Sequence, residues 1–306
     1  MKIQFLLVPY DSGRREWRMG RGPSYLLRHG VGSSIRALGH EVDAEYVEPG
    51  GVQAPNPPAS TEIATSFSLY REVAERTRTA RENGALPIIL GGNCGVSLGA
   101  VASLVSRRQI LSVGDGEANY PELEDVGVLW LDAHGDFNTP ETTRSGFLDG
   151  MSLAMLTGRC WYTLGRGIPG FRPVAERHIL LGGVRELDPA EDDLLRESEL
   201  LVARGASRHP TRLGEQIGEG LEELRRRVRR LHVHLDVDVL DESEGRANAF
   251  AAPFGLTGSE LRDIARLAAS RFEIVSASVT AYDPAIDTNG AIPPLVVAAL
   301  EALLTR

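Results

Sequence analysis

The stretch VGVLWLDAHGD, residues 126–136, ends a short apolar run with three potential ligands, Asp132, His134 and Asp136. An apolar run of this length bounded by polar residues is typical of a buried strand. Alternate residues of an extended chain point the same way, so the three polar side chains at the strand end are predicted to converge. One such group is weak evidence by itself, because exposed strand ends often carry polar side chains.

Short apolar runs alternate with amphipathic stretches along the whole chain. Eight strands are predicted at Ile3–Val8, Glu41–Val47, Leu86–Leu90, Val126–Asp132, His178–Leu181, Leu200–Ala203, His232–Val237 and Glu273–Thr280. Helices are predicted near Tyr25–Leu38, Glu62–Asn83, Val96–Val105, Pro189–Ser198, Arg212–Arg230, Gly258–Arg271 and Ile292–Thr305. This alternation predicts a mostly parallel sheet covered by helices on both faces. The prediction is a single α/β domain over residues 1–306, with three α/β/α layers and about eight strands.

The composition is that of a soluble globular protein, since 42% of the 306 residues are hydrophobic and 25% are charged. The formal net charge of -9 argues against nucleic-acid binding, which depends on a cationic surface. Two cysteines, Cys94 and Cys160, are too few for a disulfide framework. No signal peptide and no apolar run long enough for a membrane span are visible, so we expect a cytoplasmic protein without membrane contact.

A second acidic pair, Asp236 and Asp238, lies at the end of the strand predicted at His232–Val237. Ligands gather outside the carboxyl ends of parallel strands, so this pair is predicted to join the DAHGD group. Four carboxylates would repel one another if buried without positive charge, and Lys2 is the only lysine of the chain. A metal centre explains the pattern better than solvated loop ends. Oxygen-rich ligands with one imidazole suit Mn²⁺, and two ions sharing a water would support hydrolysis.

Five motifs together resemble the arginase/agmatinase (ureohydrolase) superfamily over nearly the whole chain. GGNCG (91–95) is similar to the family's GGDHS segment, DAHGD to its DAHxD motif and DVDVLD (236–241) to its DVDxLDP motif. GRGPSYLLR (20–28) resembles its early helix entry, and FNTPETTRSGFLDGM (137–151) follows the arginase loop without gaps. The resemblance implies an arginase-like fold and a dinuclear manganese hydrolase. It also implies a small arginine-like substrate and a homo-oligomer, trimeric or hexameric.

The resemblance assigns roles to individual residues. The implied metal ligands are Cys94, Asp132, His134, Asp136, Asp236 and Asp238. In arginases, the positions matching Asn138 and Ser145 bind the α-carboxylate and α-amine of the substrate. A downstream acid pair, matched by Asp188 and Glu191, helps to hold the α-amine. The chemistry of the residues agrees, because Asn and Ser donate to a carboxylate while Asp and Glu accept from an ammonium.

Three positions depart from the family's pattern. Cys94, preceded by Asn93, replaces the first histidine ligand. It could bind metal as a thiolate or pack as a small buried hydrophobic residue, and the sequence leaves both alternatives open. Asp149 replaces the loop histidine that transfers protons, and we assign it a catalytic role together with Asp136. Ala281 replaces the glutamate that holds the guanidinium. Ordinary arginine should therefore bind poorly at its far end.

One branch of the superfamily, the hydroxyarginine amidinohydrolase, also carries a cysteine at the histidine position. The stretch HGDFNTPETT (134–143) is closely similar to its sequence. This similarity implies an N-modified and less basic guanidino group in the substrate. His234 shares strand parity with Asp236 and Asp238. The sequence leaves two roles open for it, a core or supporting histidine beneath the site and a metal ligand.

The leading hypothesis is a metal-dependent amidinohydrolase. It would cleave the guanidino C–N bond of arginine, hydroxyarginine or another N-substituted arginine, giving a urea and an ornithine-type product. The first alternative is an inactive or altered binding protein on an arginase fold, in which Cys94 and Ala281 mark lost catalysis. The second is thiol catalysis, with Cys94 as nucleophile and His134 as base.

Overall fold

The computed structural model describes residues 1–50, 62–106, 125–205 and 213–305. Its strands are β1 (Lys2–Val8), β2 (Tyr10–Asp11), β3 (Arg14–Arg15), β4 (Glu41–Tyr46), β5 (Ala85–Gly91), β6 (Val126–Leu131), β7 (Ile179–Val184), β8 (Leu201–Arg204), β9 (Arg230–Asp236) and β10 (Glu273–Thr280). Within the described residues, eight of them form one parallel sheet in the order β4-β1-β5-β10-β9-β6-β7-β8. The predicted fold class is confirmed, and all eight predicted strands are present.

The two faces of the sheet bury different side chains of the same strands. Leu129 and Leu131 of β6 pack into one hydrophobic core, whereas Val128 and Trp130 pack into the other. Because side chains alternate along a strand, a run that is apolar at every position fills both cores. This is why the strands could be located from uninterrupted apolar runs, and why the protein has three layers.

The principal helices cover both faces of the sheet. They are α1 (Gly22–Leu26), α2 (Gly32–Ala37), α3 (Glu62–Glu82), α4 (Val96–Ala102), α5 (Ser152–Leu156), α6 (Tyr162–Gly165), α7 (Pro189–Arg196), α8 (Leu213–Arg225), α9 (Gly258–Arg271) and α10 (Ile292–Leu304). Apolar residues of α1, α2, α8, α9 and α10 share the core with Leu129, and those of α3, α4, α5 and α7 share the core with Trp130. None of the helices in the described ranges is long and apolar enough to cross a membrane.

Two predicted helices differ from the structure more than the others. The helix predicted at Tyr25–Leu38 is interrupted between α1 and α2, where Gly30 takes a φ of 120° that L side chains rarely adopt. The helix predicted at Arg212–Arg230 ends at Arg225, and its first residue lies outside the described part of the chain. Arg226 and Arg227 follow the helix in a turn, and Arg230 begins β9.

The loops after the strands meet at one edge of the sheet. Gly92, in the loop after β5, packs so closely against the Tyr10 carbonyl oxygen that a Cβ atom there would overlap it. Tyr10 belongs to the small antiparallel hairpin of β2 and β3, which the sequence analysis did not predict. The hairpin therefore fixes the position of the loop that carries Cys94.

Candidate metal centre and active site

Residues that end or follow four strands line one cavity of about 570 Å³. Cys94 comes from the loop after β5, His134 and Asp136 follow β6, Asp236 ends β9, and Ala281 follows β10. These strands are neighbours in the order β5-β10-β9-β6, so their carboxyl ends open into the same space. Asp132 is not among the lining residues of the cavity, but its carboxylate lies close to His134 and Asp238.

Two groups of possible ligand atoms share one carboxylate. In the first group, atoms of Cys94, Asp132 and His234 lie within 4.8 Å of one another, and in the second group the same holds for Asp132, His134 and Asp238. The Cys94 Sγ lies 3.0 Å from Oδ2 of Asp236. A carboxylate shared between two adjacent groups is the arrangement expected for a pair of divalent ions.

Backbone amides hold the carboxylates in place. The His134 amide donates to Asp132 Oδ1 at 2.7 Å, and the Asp238 amide donates to Asp236 Oδ1 at 2.9 Å. Asn248 Nδ2 donates at 3.0 Å to Asp238 Oδ2, and it donates at 2.8 Å to the carbonyl of Ala281. Each of the three carboxylates, those of Asp132, Asp236 and Asp238, thus has one oxygen held by a hydrogen bond from the protein, which orients the carboxylate.

Asp136 has an unusual environment. Its φ is +48°, in the left-handed region, and its carbonyl oxygen accepts hydrogen bonds from the Leu153 and Ala154 amides at 2.9 and 3.1 Å. Its Oδ2 is buried and, among the described residues, has no hydrogen-bond partner. An orphaned carboxylate oxygen in a buried acidic cluster is costly, and such strain concentrates at functional sites.

The electrostatics of the cluster call for a cation. Burial raises the pKa of the Asp136 and Asp236 carboxyls well above the ordinary range, and neighbouring carboxylates raise it further. Burial also raises the pKa of the Cys94 thiol, with Asp149 and Asp236 adding to the effect. Burial lowers the pKa of His134, but Asp238 and Asp132 outweigh it and raise that pKa overall. This donor set, with its orphaned oxygen, fits divalent cations, which would compensate the negative charge.

Metal binding is therefore expected to stabilise the fold. Free Mn²⁺ at about 100 times its Kd should add about 2.7 kcal/mol to the free energy of unfolding. Asp136→Asn should raise the stability of the metal-free protein, because it removes a buried carboxyl, and should reduce the gain on adding Mn²⁺. Thermal unfolding with chelator and with Mn²⁺ measures both effects, and Asp263→Asn on the exposed face of α9 is the control. Equal unfolding midpoints with and without metal would contradict the expectation.

Asp149 and Asn93 depart from the family's pattern together, and the structure pairs them. Asn93 Nδ2 donates to Asp149 Oδ2 at 2.8 Å, while the Gly95 amide and the Ser152 hydroxyl donate to Asp149 Oδ1 at 3.2 and 3.0 Å. Burial raises the pKa of Asp149 to about 7, against these hydrogen bonds, which lower it. An aspartate at position 93 would face Asp149 with a second negative charge, so the amide and the carboxylate complement each other.

The four residues predicted to bind the amino-acid end, Asn138, Ser145, Asp188 and Glu191, all line the cavity. Glu191 already accepts hydrogen bonds from the Phe137 amide at 2.9 Å and from the Asp188 amide at 3.4 Å, the second as part of the capping box that begins α7. Asp188 keeps about a third of its side chain exposed and lies 3.5 Å from Arg144. Asp188 is thus the more available acid, and Glu191 fixes the backbone around it.

Apolar side chains also line the cavity. Ala281 is 3% exposed and presents only a methyl group, at a backbone φ of +63°. Phe147 and Phe250 stack with ring centroids 5.9 Å apart, and Phe250 also meets the His134 ring edge-on. Met19, in the segment after the hairpin, also lines the cavity. Apolar lining residues of this kind suit a substrate group of reduced charge better than a full cation.

Several residues that shape the site were not predicted. Asn248, Phe250 and Met19 come from loops outside the strand ends, where no periodic pattern marks them. Arg185 was also missed, and its guanidinium donates to several backbone carbonyls, including Asp238 at 2.9 Å and Ala252 at 3.0 Å. Arg185 thereby links the turn that contains Asp238 to the loop that contains Phe250 and Ala252.

Comparison with known proteins places this architecture in a family. The model of the arginase family matches residues 1–304. The chain is 31% identical to the arginase of Brucella melitensis, an alignment that covers 100% of this chain and 96% of the relative. It is 27% identical to the arginase of Bacillus caldovelox, covering 98% and 97%. A crystal structure of an arginase from Bacillus caldovelox superposes with a TM-score of 0.82 at 25% identity, covering 100% of this chain and 98% of that chain. The protein belongs to the arginase family.

Proposed function

We propose that this protein is a metal-dependent amidinohydrolase that acts on an arginine-like amino acid with a weakly basic or N-substituted guanidino group. The proposal is carried by two ligand groups that share Asp132. Cys94, His134 and Asp238 of these groups line the same cavity as the amino-acid-binding candidates. The proposed products are a urea and an ornithine-type amino acid. Water adds to the guanidino carbon, the bond from that carbon to the side-chain nitrogen breaks, and the leaving amine takes a proton.

The proposed cofactor is a pair of divalent ions, most simply Mn²⁺. Cys94, Asp132, His134, Asp136, Asp236 and Asp238 would hold them. When bound, the ions would lower the pKa of water and polarise the guanidino carbon. The four carboxylates favour a hard cation, while the Cys94 thiolate makes one position softer.

The proposed substrate keeps its α-carboxylate and α-amine. Asn138 and Ser145 offer donors to the carboxylate, and Asp188 offers an acceptor to the ammonium. At the other end, Ala281 supplies no charge for a guanidinium. An N-hydroxyguanidine, which is less basic than a guanidine, loses less free energy than arginine when it enters such a pocket.

A substrate panel tests the proposal. Arginine, hydroxyarginine and agmatine are assayed at equal Mn²⁺ loading, with chelated protein as the blank. We expect turnover that depends on metal, with hydroxyarginine best and agmatine poor because it lacks the carboxylate. Preference for agmatine would refute the assignment of the amino-acid end. Two bound ions without turnover of any of the three would favour the binding-protein alternative.

Asp149 is proposed as the residue that carries a proton near the reacting centre. Asp149→Asn should lower kcat on the order of 10²-fold, the lower end of general acid–base contributions, with KM and metal content unchanged. Ser152→Ala, which removes one hydrogen bond to Asp149 but keeps its carboxylate, is the matched control and should change kcat only a few-fold. If Asp149 only positions the Cys94 loop, metal content will fall together with kcat.

Thiol catalysis is the weaker mechanism. The Cys94 side chain is 2% exposed, donates to Asp236 at 3.0 Å and lies among carboxylates. A nucleophilic cysteine needs a positive neighbourhood that favours the thiolate, and this surrounding does the opposite unless a cation is bound. The environment therefore supports Cys94 as a ligand.

On the strength of the family resemblance, we also propose a single domain, a cytoplasmic location and a trimeric or hexameric assembly. Light scattering on the eluted protein measures the assembly directly. A monomeric mass at micromolar concentration would contradict it.

A further inference from the structure

His234 carries a ring nitrogen that has no hydrogen-bond partner in the described part of the chain. The residue lies on β9, and its side chain is fully buried. Its Nε2 has no hydrogen-bond partner within the described ranges of the chain. A buried polar atom left without a partner costs roughly 1–3 kcal/mol, so a ligand for this nitrogen is expected.

The other ring nitrogen is held firmly. Nδ1 of His234 lies 2.9 Å from the hydroxyls of both Ser97 and Ser278, which are themselves 2.9 Å apart. A proton on Nε2 would have no acceptor among the residues that the structure describes, whereas a proton on Nδ1 can be donated to a serine oxygen. The Nδ1–H tautomer is therefore favoured, and it leaves the lone pair on Nε2.

The imidazole lies close to the metal cluster. A nitrogen of His234 lies within 4.8 Å of the Cys94 sulfur and of an Asp132 carboxylate oxygen. The Trp130 ring packs 3.8 Å from the imidazole, and its Nε1 donates at 3.2 Å to Asp132 Oδ2. Serines on one side and the indole on the other thus fix the ring, as protein groups commonly do for a metal-ligating histidine.

We propose that Nε2 of His234 is a ligand of the divalent ion bound by Cys94 and Asp132. The proposal rests on the metal-dependent function argued above. His234 would supply an imidazole from strand β9 to the ion site at which Cys94 supplies a thiol. The ion site formed by Cys94, Asp132 and His234 then has sulfur, oxygen and nitrogen donors. It should bind Zn²⁺ or Co²⁺ more readily than the ion site that contains His134 and Asp238.

His232 is a matched control on the same strand. It is also fully buried and shares strand parity with His234, but both of its ring nitrogens face serine hydroxyls. Nδ1 lies 2.8 Å from Ser276, and Nε2 lies 3.3 Å from Ser278. A general loss of packing would affect both histidines, whereas loss of a ligand affects only His234.

The test is Zn²⁺ titration of the full chain with ¹⁵N-labelled histidine, read from the ring-nitrogen resonances together with the zinc content. We expect two histidines to show metal-shifted nitrogens, one lost in His134→Gln and the other lost in His234→Gln. His234→Gln should reduce the bound zinc from two ions to one per chain, with affinity at that position down by more than about 100-fold. His232→Gln should keep both ions.

The outcomes separate this proposal from the proposed function. If the unsubstituted protein binds no zinc, the metal-dependent function fails and His234 has no ion to bind. If two ions bind but only the His134 resonance shifts, the His234 proposal alone is overturned. The spectrum of the unsubstituted protein decides this point even if His234→Gln does not fold.

Discussion

Asp236→Asn should reduce kcat/KM by about 10³- to 10⁴-fold, since metal stabilisation of a transition state supplies several kcal/mol and each 1.36 kcal/mol is tenfold. Asp236 ends β9 next to both ligand groups, with Oδ2 3.0 Å from the Cys94 sulfur and Oδ1 accepting from the Asp238 amide. An amide in its place offers one weak oxygen ligand and no charge. We expect metal content to fall below two ions per chain.

Elemental analysis and steady-state kinetics on the same protein sample check this expectation. Asp263→Asn, which changes an exposed acid on α9, controls for the loss of one negative charge. If Asp236→Asn keeps two ions and loses less than about tenfold in kcat/KM, the two-ion account is wrong.

Ala281→Glu should shift the preference toward arginine, changing the ratio of kcat/KM for arginine over hydroxyarginine by roughly 10²-fold or more. The reason is that a buried charge partner for a guanidinium is worth about 3–5 kcal/mol. The backbone at position 281 already holds a Cβ atom at a φ of +63°, so glutamate adds side-chain atoms without new backbone strain.

Two variants make this test specific. Ala281→Gln has the size of glutamate without its charge, and Ala249→Glu places the same charge at an exposed position of the cavity wall. Neither should change the substrate ratio by more than a few-fold. Rapid arginine turnover by the unsubstituted protein, unchanged in Ala281→Glu, would show that position 281 does not face the guanidino group.

The central strands of the sheet were predictable because they are buried on both faces. Runs such as 126–131 are apolar at every position, and such runs cannot lie in a solvated segment. Helix ends were less predictable. Gly30 interrupts a helix because its φ is positive, and the spacing of apolar residues does not predict that backbone conformation. The extent of the domain, predicted as residues 1–306, stays a prediction.

Much of the site was predictable for a related reason, since parallel strands deliver their carboxyl ends to one edge. That rule brought His134 and Asp136, after β6, and Asp236 and Asp238, at and just after the end of β9, to one cavity. Loop residues such as Asn248 and Phe250 follow no comparable rule. The parity of His234 was visible in the sequence, but its distance to Cys94 depends on how β5 and β9 sit on either side of β10.

Glu191 shows where a residue-by-residue resemblance needs the structure. The family's pattern assigns it to the substrate amine, and it does line the cavity. Its carboxylate nevertheless accepts from the backbone of Phe137 and Asp188, and burial raises its pKa. Its substrate-binding role stays a prediction, and Asp188 is the acid with the freer carboxylate.

The most direct test of the whole account is a competition in one vessel. Equal concentrations of arginine and hydroxyarginine are given to the Mn²⁺-loaded protein, and urea and hydroxyurea are quantified by mass spectrometry at low conversion. The product ratio gives the ratio of kcat/KM values without separate assays. The account predicts that hydroxyurea exceeds urea by about 10²-fold or more and that chelated protein yields neither. An excess of urea, or equal product from chelated protein, would contradict it.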